Sequence, residues 1–157
     1  MISDNIVIRQ ATIADLSDLV RLRRMMFEAM GFDDPAQLHA ADLAAADYFA
    51  EAIPDGKFFG WLAIMSNGEA AASGGVTIDH HPPGPTNLSG QIGYIMNLVT
   101  IPQYRRQGIA RRIMQTMLRW LADRGVTTLA LHATEVGRPM YEELGFVDSN
   151  EMRLRLQ

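Results

Sequence analysis

Residues 103–112 read Gln-Tyr-Arg-Arg-Gln-Gly-Ile-Ala-Arg-Arg. They lie between a strand-like run and an amphipathic, helix-like run. A helix start presents unpaired backbone N–H groups and the positive end of aligned peptide dipoles. Gly108 and Ala110 are small enough to let a ligand approach that backbone closely. Arg105 and Arg106 add charge and donors. An Arg105-x-x-Gly108-x-Ala110 loop in this setting is a site for a pyrophosphate. The loop lacks the Gly-Lys-Ser/Thr ending of a Walker A sequence, and one glycine does not make a dinucleotide fingerprint. A nucleoside-triphosphate or dinucleotide site is therefore unsupported.

The chain has no cysteine. A thiol nucleophile, a disulfide and a cysteine-based zinc site are excluded. His80 and His81 follow Asp79, but no third histidine lies nearby and Pro82-Pro83 follows. We expect no metal; this segment reads as a loop flanking a substrate mouth. Most of the ten methionines read as helix-face core. Met25, Met26, Phe27 and Met30 are candidates to line an acceptor pocket at the end of the first helix.

The elements that must position these groups follow from periodicity and punctuation. Residues 6–11 alternate as a short strand. Thr12 and Asp15 form a capping-box-like start for a helix over about residues 13–30. Asp34-Pro35 starts a second, Ala-rich helix from Ala36 to Ile53. Phe58 to Met65 is a strand, Asn67-Gly68 a hairpin turn, and residues 69–79 the returning strand. Gly74-Gly75 within it points to a bulge or a close backbone approach. Residues 80–90 form a Pro-rich loop, and Gln91 to Thr100 a strand. Gly108 to Arg124 is a helix with Ile109, Ile113, Met114, Met117, Leu118 and Leu121 on one face. Thr127 to Ala133 is a strand and Pro139 to Leu144 a short helix. Phe146 onward, through Met152 and Leu154, is expected to return as a last strand. The sum is a mixed α/β fold: a central twisted mixed sheet, with an antiparallel meander feeding a strand–helix–strand crossover.

Length and composition bound the rest. The 157 residues suit a single domain over 1–157. The net charge of -4 argues against a dedicated nucleic-acid binder, which draws its affinity from a basic surplus. The opening residues do not read as a signal peptide, and no run is long and apolar enough for a membrane span. A cytoplasmic location and no membrane partner are expected.

Residues 95–146, from Ile95-Met96-Asn97-Leu98-Val99-Thr100-Ile101-Pro102 through the Arg105 loop and the helix to Tyr141-x-x-Leu144-Gly145-Phe146, resemble the core of the GNAT acetyltransferase superfamily. The flanking elements fall in the same order. The resemblance implies acetyl-CoA as co-substrate and an amine as acceptor. The amides of Arg105, Arg106, Gln107, Gly108, Ile109 and Ala110, with Arg111 in the first turn beyond, would bind the coenzyme pyrophosphate. Leu98 and Val99, with Ile101 as a further contact, would hold the pantetheine arm through backbone bonds. The Val99 amide would polarise the thioester carbonyl. Thr134 stands where the family often has an Asn that contacts the pantetheine, a departure from the pattern. Tyr141 matches the tyrosine that often protonates the departing thiolate; its ring also reads as a packing partner for Phe146. The amine would attack the thioester directly, in keeping with the missing cysteine.

An acceptor arriving as ammonium must lose a proton. Glu28, Asp79, His80, His81 and Glu135 are candidates, with Glu28 first because it borders the expected pocket. The leading function is thus an acetyl-CoA-dependent N-acetyltransferase acting on a small-molecule amine. A protein amine, a non-catalytic acyl-CoA sensor, and a nucleic-acid binder using Arg105, Arg106, Arg111 and Arg112 are the competing readings. Sheet edges leave a homodimer open.

Overall fold

The computed structural model describes residues 5–157. Strand β1 (Val7–Gln10) leads into a one-turn 3-10 helix (Ile13–Asp15) and α1 (Leu16–Ala29). Then come α2 (Pro35–Ala52), β2 (Phe59–Ile64), β3 (Ala70–His80), β4 (Gln91–Thr100), α3 (Ile109–Asp123), β5 (Thr128–Leu131) and α4 (Arg138–Glu143). The five strands form one sheet in the order β1-β2-β3-β4-β5. All neighbours are antiparallel except β4 and β5, which run parallel on either side of the α3 crossover. This is the mixed sheet expected from the sequence. Among the described residues, no helix is long and apolar enough to cross a membrane.

The strands alternate their side chains between two cores. Trp61 and Ala63 of β2 face Ile113, Met114, Met117 and Leu121 of α3. Leu62 faces the opposite way, into a second core with Leu19 and Leu22 of α1 and Phe49 of α2. Gly74 lets α3 sit down on the sheet. A Cβ there would lie 2.6 Å from Ile113 Cγ2 and 2.9 Å from Met117 Cε, closer than packed atoms approach.

The expected caps form. The Thr12 side chain accepts from the chain ahead of it, and the Asp15 side chain reaches back to the Thr12 amide. Asp34 caps α2, with Pro35 at its first position. Asp15 is almost fully buried and takes two 2.8 Å bonds from the Arg9 guanidinium as well as one from the Thr12 N–H. The Arg9 bonds, aided by the Thr12 amide and opposed by burial, hold its carboxyl below the usual range. A depressed carboxyl adds stability that is complete above its unfolded value, near pH 4, and is lost as pH falls through the folded one. Asp15→Asn is therefore expected to lower stability by about 1–2 kcal/mol at pH 7. In urea titrations the gap between variant and parent should narrow as pH drops from about 5 toward 3. A gap that stays constant across that range would contradict the assignment.

The last expected strand does not form. Residues 146–157 join no ladder. The side chains of Met152, Leu154 and Leu156 are 99%, 82% and 88% exposed. Alternation tells which face a side chain would take, but a strand exists only where a neighbour supplies the hydrogen bonds. Here β5 is four residues long, and its outer edge pairs with no described strand.

Candidate functional site

The sheet opens between β4 and β5. Their parallel ladder ends at Ile95↔Leu131, while β4 runs on to Thr100. From Met96 onward, the β5 side of β4 has no strand beside it. Opposite, on the β3 side, the register changes. Ser73 pairs with Val99 and Gly75 with Met96, so Asn97 and Leu98 together oppose Gly74. This is a β-bulge. Asn97 sits at its apex with φ of 58°, a conformation Asn tolerates better than most residues. Ser73 Oγ donates to the Asn97 carbonyl at 2.8 Å and anchors the bulge.

The bulge decides which backbone groups face the opening. Ile101 N–H donates to Ala71 O at 2.8 Å, and the register continues through Thr100↔Ala72 and Val99↔Ser73. Hydrogen-bonded pairs alternate along an antiparallel ladder. Val99 and Ile101 therefore turn their N–H groups to β3, and Leu98 and Thr100 turn theirs to the opening. This corrects two expectations: Val99 and Ile101 have no free amide to offer a ligand. At this level of β4 the Leu98 N–H is the one that faces the opening. The Thr100 carbonyl accepts from Arg105 Nε at 3.0 Å, which draws the phosphate loop against the end of the same strand.

That loop continues through a short 3-10 turn (Pro102–Tyr104). Tyr104 Oη donates to Glu69 at 2.8 Å and pins the loop to the β2–β3 hairpin. Arg106 and Gly108 both have positive φ, 62° and 76°. This double turn swings the chain into α3 with its first amides outward. Among the described residues, the N–H groups of Gln107, Gly108, Ile109, Ala110 and Arg111 make no hydrogen bond within the protein. Nothing lies within 4 Å of the place a Gly108 Cβ would occupy. The Arg111 side chain turns away to form an ion pair with Glu143 of α4. What remains is an open cradle of amides at the positive end of a 15-residue helix, which fits a pyrophosphate.

Tyr141 of α4 is 9% exposed and belongs to the core under α3. Its ring meets Phe146 edge to face, 6.0 Å between centroids, so the packing expectation is met. Its hydroxyl makes no hydrogen bond to a described residue, and burial raises its pKa above the ordinary phenol value. Thr134 serves as a local cap: its Oγ1 accepts from Gly137 N–H at 3.1 Å, and its carbonyl from Arg138 N–H at 2.9 Å.

The expected proton acceptors are dispersed. Glu28 pairs with Arg24 at 3.4 Å, on the exposed side of α1. Asp79 and His80 pair with Ile92 and Gln91; Ile92 lies five residues before Asn97, about 16 Å at ~3.3 Å per residue. His81 lies beyond them, and Glu135 lies in the exposed loop after β5. Among the described residues, no group of three or more His, Cys, Asp or Glu side chains could hold a metal.

A cavity of about 420 Å³ lies between α1, α2 and β4, lined in part by Arg23, Phe27, Tyr48 and Met96. Phe27 lies where an acceptor pocket was expected. Met25 and Met26 pack into the α1–α2 core instead, and Met30 is 56% exposed. Arg23, Tyr48 and Asn97 were not anticipated. Arg23 had a legible signal: it falls in the apolar stripe of α1, three and four residues before Met26 and Phe27, where a charge is out of place.

Comparison with known proteins agrees with this geometry. A family model described as the acetyltransferase (GNAT) family matches residues 18–146. A GCN5-related N-acetyltransferase from Ralstonia eutropha is 32% identical, with a TM-score of 0.88 over 96% of this chain and 98% of that one. A predicted acetyltransferase from Clostridium acetobutylicum, solved with acetyl-CoA, is 28% identical, with a TM-score of 0.86 over 97% and 96%. Glucosamine-6-phosphate N-acetyltransferase from Arabidopsis thaliana shares the fold at 16% identity, with a TM-score of 0.74 over 98% and 99%. No curated protein sequence matches the chain significantly.

Proposed function

The chain belongs to the GNAT acetyltransferase family, and from that premise we propose that it moves the acetyl group of acetyl-CoA to a primary amine on a small molecule, acting as one domain in the cytoplasm. One observation carries the reading. The sheet opens beside β4, and a cradle of unpaired amides at the start of α3 stands at the same end of that strand.

The chain's own groups divide the work. The amides of Gln107 through Arg111 bind the pyrophosphate, with Arg105 and Arg106 adding charge. The outward N–H of Thr100 and the outward C=O of Leu98 bind the pantetheine arm as a strand would, with Thr134 beyond the end of β5 as a further contact. Acetyl-CoA supplies an acyl thioester. The Leu98 N–H stabilises the negative charge that grows on the carbonyl oxygen as the amine nitrogen bonds to carbon. Tyr141 gives its phenolic proton to the sulfur as the C–S bond breaks. Because burial raises its pKa, it stays protonated across the neutral range. Glu28, tied to Arg24, is the proposed sink for the ammonium proton, reached through water.

The direct test is thiol release. With acetyl-CoA and a suitable amine, free CoA thiol and N-acetyl product should form in equal amounts. A chain that binds acetyl-CoA yet releases no thiol with any amine would be a sensor, not a transferase.

A further inference from the structure

The cavity between α1, α2 and β4 holds one cation without an anion. Arg21 pairs with Asp18 at 3.0 Å, and Arg24 with Asp42 at 2.6 Å. Among the described residues, Arg23 has no carboxylate within 4.0 Å. Its guanidinium donates one long bond, 3.3 Å, to Asn97 Oδ1 and stands 4.9 Å from the centre of the Phe27 ring. Burial lowers its pKa, as befits a partly desolvated charge, yet a guanidinium does not give up its proton in a protein. Such a charge is costly unless something pairs with it.

The surroundings say what would pair with it. Tyr48 lines the same cavity and its hydroxyl makes no hydrogen bond to a described residue. Its pKa is pushed up by burial, pulled back by the Arg23 charge and pushed up again by the Asp79 carboxylate. The other walls are Phe27, Phe49, Met96 and three alanines of α2. One fork of donors and one hydroxyl among apolar walls match a monoanionic carboxylate. A phosphomonoester dianion would leave half its charge unmatched. The cavity is at the small end for ligand pockets, which suits a single small molecule.

Its place in the fold ties it to the reaction. Met96 lines the cavity, and Leu98, whose amide faces the opening, lies two residues further along β4. Arg23 itself bonds to Asn97, the apex of the bulge. Resting on the transferase reading above, we infer that the acceptor is an amino carboxylate. Arg23 and Tyr48 hold its carboxylate, the apolar walls hold its carbon skeleton, and its amine is delivered to the bulge beside Leu98.

The test uses the whole chain with acetyl-CoA and follows thiol release. The acceptors are the L-amino acids, β-alanine and 4-aminobutyrate, each beside its carboxamide, together with putrescine and phosphoethanolamine. For the preferred acceptor, kcat/KM should exceed that of its carboxamide by about 100-fold. Arg23→Met should erase that preference, bringing acid and amide within a few-fold, while leaving acetyl-CoA affinity and Tm near those of the parent. Arg23→Lys should restore part of it. Should Arg23→Met fail to fold, the acid-versus-amide comparison on the parent decides alone. Equal use of acids and amides, or a preference for putrescine or phosphoethanolamine, would overturn the inference and leave the transferase reading standing. Binding of acetyl-CoA with no acceptor turned over would remove both.

Discussion

Gly108→Asp is expected to weaken acetyl-CoA binding at least 100-fold while leaving the fold intact. The residue has φ of 76°, and Asp tolerates that region better than most side chains. A Cβ there meets no protein atom within 4 Å, so folding costs no more than about 1–2 kcal/mol of backbone strain. The side chain points into open space beside the unpaired amides. Its carboxylate would compete for those N–H groups and repel a pyrophosphate. A loss of about 3 kcal/mol, from several charge-assisted bonds at once, corresponds to about 100-fold in affinity. Gly108→Ala, which adds bulk but no charge, should lose much less. Fluorescence or calorimetric affinities for both variants, with Tm as a check on folding, decide the matter. Unchanged affinity in the Asp variant would remove the loop from the coenzyme site.

Tyr141→Phe should lower kcat by about 100-fold, the low end for a positioned acid, with KM for acetyl-CoA nearly unchanged. Stability should hold, because the lost hydroxyl makes no hydrogen bond to a described residue and the Phe146 contact is between rings. The pH profile adds a readout that packing alone would not move. Burial raises the phenol pKa, so an acid role for Tyr141 predicts no loss of kcat to its ionisation until pH passes the ordinary value near 10. The Phe variant should lack that alkaline limb. A variant as fast as the parent at every pH would leave Tyr141 a packing residue.

Local chemistry was legible where it acts within a few residues. Thr12 with Asp15, and Asp34 with Pro35, announced two helix starts because a cap needs only its own turn. Asn67-Gly68 announced the hairpin for the same reason. The helical stripe from Ile109 to Leu121 announced α3, because one face had to be buried. What escaped depends on register. Whether Leu98 or Val99 offers its amide is set by a bulge opposite Gly74, and two extra-residue placements differ by a single step in an otherwise uniform apolar run. Gly74-Gly75 and Asn97, a residue suited to positive φ in the middle of a strand, hinted at a bulge but did not fix its register. The run Met152-x-Leu154-x-Leu156 shows the converse: its alternation is clear, but pairing depends on the edge of β5. Arg23 could have been found, since a charge inside the apolar stripe of α1 asks for a partner.

The most direct measurement is a titration of 15N-labelled protein with acetyl-CoA, followed by backbone amide shifts. Saturable changes at one site are expected, largest at Leu98, Thr100 and residues 107–111, with much smaller changes at the β3-bonded amides of Val99 and Ile101. Largest shifts at Val99 and Ile101, or saturation with no change at the start of α3, would contradict this expectation.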